Sequence, residues 1–84
     1  MVSVAGGNGS SIEDAIVISD CNHSEGINQE YLVLKKRLGT YKLIQQTLLE
    51  VEGKMYDKML VETGGEQLEV FFDITAFFGK GFGL

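Results

Sequence analysis

The chain has 84 residues, with seven basic and twelve acidic side chains and a formal net charge of −5. It therefore holds one small domain, and it carries the wrong sign for a generic phosphate-backbone binder. Hydrophobic residues at 44% against 23% charged exclude wholesale disorder. No apolar run nears the roughly 20 residues that cross a bilayer, and the single cysteine excludes an internal disulfide framework.

Residues 1–11 hold three glycines, three serines and one asparagine, with little to bury. They read as a flexible arm, and residues 12–84 read as one domain. The N-terminus has neither a basic region nor a signal-peptide core, so a cytoplasmic location is expected. The segment Ala15-Ile16-Val17-Ile18 is short, β-branched and apolar on both sides, the pattern of a buried strand.

A helix is expected from about Glu25 to Leu38. Ser24 can cap it, or Asn22 with Glu25 completing a capping box. Glu25 and Glu30 lie early and Lys35, Lys36 and Arg37 late, which complements the helix dipole. Ile27, Tyr31, Leu34 and Leu38 form one face at helical period, and Gly39 supplies a left-handed end.

Three strands follow, at about 41–50, 54–63 and 66–73. A three-residue loop closed by Glu50 and Lys54 gives the pairs Leu49–Met55, Leu48–Tyr56, Ile44–Leu60, Leu43–Val61 and Lys42–Glu62. A two-residue Glu52-Gly53 loop would put Leu48 opposite Asp57, so cross-strand pairing favours the first register. Gly64-Gly65 suits a type I′ turn that pairs Val61 with Leu68, Met59 with Val70 and Asp57 with Phe72. On this reading one sheet face carries Leu43, Leu49, Met55, Met59, Val61, Leu68, Val70 and Phe72. The other carries Ile44, Leu48, Tyr56, Leu60 and Phe71.

The expected fold is α+β: a strand, a helix, then a three-stranded antiparallel meander. The single helix packs on one face of a four-stranded sheet. Strand 15–18 should run parallel to strands 41–50 and 66–73, beside one of them. Asp73 can cap a single helical turn over residues 74–78, ended by Gly79. Phe77, Phe78 and Phe82 make the tail aromatic enough that it should fold onto a sheet face or onto another chain.

The segments Ser11-Ile12-Glu13-Asp14-Ala15-Ile16-Val17-Ile18, Glu25-Gly26-Ile27 with Glu30-Tyr31, Tyr41-Lys42-Leu43-Ile44, and Phe72-Asp73-Ile74 with Phe77-Phe78-Gly79-Lys80 form a distinctive series. In their order the chain resembles a group of small uncharacterised bacterial domains. The resemblance implies one compact domain and supplies no catalytic residues.

Chemistry-bearing residue types gather at Asp20-Cys21-Asn22-His23. A cysteine nucleophile needs a base within reach, and a helix N-terminus can lower a thiol pKa. A metal could use Asp20, Cys21, His23 and Glu25, but zinc wants three or four placed ligands and no second Cys or His exists. The plain alternative is a polar strand-to-helix turn. Gly79-Lys80-Gly81-Phe82-Gly83 lacks the helix that a phosphate loop requires. Lys35, Lys36, Arg37 and Lys42 form a basic cluster that reads as a helix C-terminus, and the acidic balance argues against nucleic acid. Asp57 falls on the core face, where a carboxyl group needs a partner or takes a raised pKa.

The function these features favour is a non-enzymatic protein-interaction module that self-associates. Its contact surface would be Ile44, Leu48, Tyr56, Leu60 and Phe71, with Phe77 and Phe78 from the tail. No cofactor, metal or membrane is expected. The alternative is a small thiol-dependent enzyme or metal-binding protein centred on Cys21 and His23.

Overall fold

A computed structural model describes residues 2–78. In chain order it contains β1 (Ser3–Gly6), β2 (Ile16–Ser19), α1 (His23–Leu38), β3 (Lys42–Val51), β4 (Lys54–Thr63) and β5 (Glu66–Asp73). The strands form one mixed sheet in the order β1-β2-β5-β4-β3. The class is α+β, with one helix and a sheet of five strands where four were expected.

The fifth strand comes from the segment read as a loose arm. β1 pairs antiparallel with β2, from Ser3 opposite Ser19 to Gly6 opposite Ile16. Its return loop reaches β5, where the Gly9 carbonyl accepts a bond from the Phe71 amide at 2.8 Å. Gly9 does this at φ 83° and is buried. Low apolar content hid this segment, because backbone hydrogen bonds with β2 and β5 order it more than side-chain burial does. β2 runs parallel to β5, with Ile16 opposite Phe72, which settles its neighbour among the meander strands.

Asn22 is the helix cap. Its side chain accepts from the Glu25 amide and the Glu25 carboxylate accepts from the Asn22 amide, both at 2.9 Å. This is the capping-box alternative, and Ser24 lies inside the helix. Gly39 ends the helix at φ 73°, its amide donating to Lys35 O. The buried stripe is Gly26, Glu30, Val33 and Leu34, with Ile27 and Leu38 half-buried. Tyr31, expected in the stripe, is exposed. The stripe is turned toward Gly26 because the fully buried Phe77 packs against that glycine.

The β4–β5 register is the expected one throughout. The β3–β4 register is corrected in part. Glu52 and Gly53 form a two-residue turn with φ 51° and 81°, so Leu49 faces Tyr56 and Leu48 faces Asp57. One extra residue, Ile44, then sits in a β-bulge, beyond which Leu43–Val61 and Lys42–Glu62 pair as expected. The primed turn matches the strand twist, and the bulge keeps apolar pairing at the far end. Leu49 thereby moves to the helix-free face and Leu48 to the helix face.

The core joins Val33 and Leu34 of α1 to Ile16, Ile18, Met59, Val61, Phe72, Ile74 and Phe77. Leu34 is 1% exposed. Leu34→Ala should cost about 2–5 kcal/mol in urea unfolding, the range for leucine truncation in a packed core. Val70, read from sequence as an equal core position, is only half-buried and should cost less.

Beyond β5 the chain makes one tight turn. Asp73 Oδ1 accepts from the Thr75 amide at 3.0 Å and its hydroxyl at 2.7 Å, while the Phe77 and Phe78 amides donate to Ile74 O. Asp73 caps this turn as expected. Gly79, the glycine-rich segment and Phe82 lie outside the described residues.

Candidate functional site

Two surfaces carry features beyond the needs of folding. The first is a recess of about 290 Å³ between the start of α1, the middle of the β3–β4 hairpin and the C-terminal turn. His23, Ile27, Gln46, Leu48, Asp57, Ile74 and Phe78 line it. The two-residue turn puts Gln46 and Leu48 there, because it sets each across from a helix-facing residue of β4, Met59 and Asp57.

Asp57 is 2% exposed, and its Oδ2 accepts a 2.6 Å bond from Gln46 Nε2. Beside it, under the helix, lies the carboxyl group of the fully buried Glu30. Its pKa is pushed up to about 10, first by burial and then by hydrogen bonding and repulsion from Asp57. Neither Glu30 oxygen has a hydrogen-bond donor among the other described residues. The two observations agree once Glu30 keeps its proton: a protonated carboxyl group is itself the donor, and the Asp57 carboxylate is its acceptor. The same neighbours and burial raise the Tyr31 phenol as well, with burial the larger cause.

His23, the first residue of α1, sets its ring edge-on against Phe77, with centroids 6.1 Å apart and planes at 66°. Cys21 is half-buried and packs against the core. Among the described residues no three His, Cys, Asp or Glu side chains gather as metal ligands.

The second surface is the sheet face opposite the helix. Register places Val17, Leu49, Val51, Tyr56, Leu60 and Phe71 there, all half-buried except the buried Tyr56. None belongs to the helix-side core. Of the expected contact residues, Tyr56, Leu60 and Phe71 share this face. Leu48 lies on the helix side and Ile44 in the bulge, both exposed. Phe77 is a core residue at 0% exposure, and Phe78 is an exposed residue at the recess.

Sequence reasoning found Asp57 and missed its partner. Glu30 reads as one more acid complementing the helix dipole, yet it lies four residues from both Gly26 and Leu34. That spacing, with the stripe turned by one position, is the signal that could have found it.

Comparison with models of known protein families, with curated proteins and with solved structures finds no match. Among the described residues no helix is long and apolar enough to cross a membrane.

Proposed function

We propose that this protein is a small non-enzymatic interaction module that pairs with a second copy of itself through the helix-free face of its sheet, with the cytoplasm as its compartment. The observation that carries this reading is the run of Val17, Leu49, Val51, Tyr56, Leu60 and Phe71 on a face that the single helix does not cover. Fully burying one such side chain stabilises by about 1.5–3 kcal/mol, so even partial burial of several favours association.

Charge selects the occupant. The chain carries −5 overall, and copies repel wherever that excess is displayed. Among the strand residues of this face Lys42, Lys54 and Lys58 balance Glu62, Glu69 and Asp73, while Glu13 and Glu52 lie at its margin. Lys58 and Glu69 form an ion pair at 3.4 Å. Under two-fold symmetry Lys58 can exchange its own Glu69 for that of the mate.

The test is sedimentation equilibrium at tens of micromolar on the wild type, Leu60→Glu and Phe71→Glu, with circular dichroism to confirm folding. The wild type should show twice the 9.2 kDa chain mass, and each folded variant should show the single mass. A wild type that sediments as a single chain overturns the reading, as does a dimer indifferent to both substitutions.

A further inference from the structure

The recess under α1 is a different surface from the sheet face proposed for pairing, and its polar chemistry is lopsided. It presents Asp57, 2% exposed, among the apolar side chains of Ile27, Leu48, Ile74 and Phe78. Behind Asp57 the two oxygens of Glu30 are buried without a donor among the other described residues. The ion pair seen among the described residues is Lys58–Glu69, and none of their cationic side chains pairs with Asp57 or Glu30. A buried acidic group ordinarily has a cation or several donors against it. Among the described residues one amide, from Gln46, donates to the pair from outside it.

We propose that this recess binds a small organic ammonium ion, its charge held by Asp57 and its apolar body lying against Ile27, Leu48, Ile74 and Phe78. An ammonium group brings three N–H donors to a site that has acceptors in excess. The apolar walls fit a ligand with a hydrocarbon body, and a bare metal ion would find no third ligand among the described residues. The volume of about 290 Å³ lies at the lower end of ligand pockets, which limits the guest to about the size of a phenylethylamine. The acidic chain as a whole also draws cations toward it.

Binding is linked to protons. A cation beside Asp57 favours the ionised form of Glu30 and lowers its pKa from the raised value. The other titratable side chains around the pair are His23 on the recess wall and Tyr31 on the helix.

The test is a two-dimensional amide NMR titration of the full chain with 2-phenylethylammonium and, separately, with neutral 2-phenylethanol. The ammonium ion should shift the amides of His23, Ile27, Gln46, Asp57 and Phe78, and should bind at least tenfold more tightly than the alcohol. Asp57→Asn should close that gap. At saturation the carboxyl carbon of Glu30 should titrate at lower pH than in the unliganded protein. A preference for the ammonium ion below tenfold, shifts confined to other surfaces, or no shifts at tens of millimolar overturns the proposal. The comparison of the two probes is made on the wild type, so it decides the matter even where the variant does not fold. Failure of self-association leaves this result unaffected, because the pairing face and the recess share no residue.

Discussion

Glu30→Gln should stabilise the protein at pH 7 by about 3 kcal/mol, and the gain should grow with pH. In the folded protein Glu30 holds its proton up to a pKa of about 10, against 4.5 for the unperturbed group. Between those values the folded state binds a proton that the unfolded state has released. The stability of the wild type therefore falls as pH rises through this window, by about 1.4 kcal/mol per pH unit from this group. Below pH 4.5 the penalty vanishes, since both states are protonated. Glutamine has the shape of the protonated acid and can donate to Asp57 at any pH. Urea unfolding of both proteins from pH 5 to 9 should show curves that diverge steadily toward alkali. Curves that run parallel would show that Glu30 ionises as easily in the folded protein as in the unfolded one.

Gly26→Ala should destabilise by about 1–3 kcal/mol, although alanine is the better helix former by about 1 kcal/mol. A Cβ placed on Gly26 would lie 2.5–2.6 Å from three atoms of the Phe77 ring. That ring is fully buried among core side chains. The sign should reverse once the ring is gone: Phe77→Ala alone should cost about 3–5 kcal/mol, and adding Gly26→Ala to it should restore some stability through helix propensity. A double-mutant cycle by thermal or urea unfolding measures this coupling. If alanine stabilises the helix equally in both backgrounds, the ring does not press on Gly26.

Much of the fold is legible because its local signals agree with one another. The capping box at Asn22 and Glu25, the glycine at 39 and the Gly64-Gly65 turn each specify a local geometry, and each appears as the residues require. Three features were hidden for separate physical reasons. β1 is ordered by a backbone ladder that side-chain patterning does not record. The bulge at Ile44 satisfies a favourable turn at one end of the hairpin and apolar pairing at the other, whereas pattern reading assumes one register throughout. The helix face depends on Phe77, which lies some fifty positions away and is brought in only by tertiary packing. The candidate site was legible by half. Asp57 stands out as an acid at a core position of a strand, but a glutamate early in a helix has an ordinary explanation at the surface, and that explanation concealed Glu30.

The bulge also bears on how the hairpin could gain or lose length. Ile44 is the one residue by which β3 exceeds a regular ladder with β4. Removing its codon, with Leu43 and Val61 kept opposite, would bring Gln45 next to Leu43 and leave it opposite Leu60, so every following pair of the hairpin would stand as it does now. Gln46 and Leu48 would stay on the helix side, and Asp57 would keep the amide that now donates to it. In genetic terms a single in-frame codon separates a bulged hairpin from a regular one, and the recess under the helix, the caps and the β4–β5 pairing are the same on either side of that change.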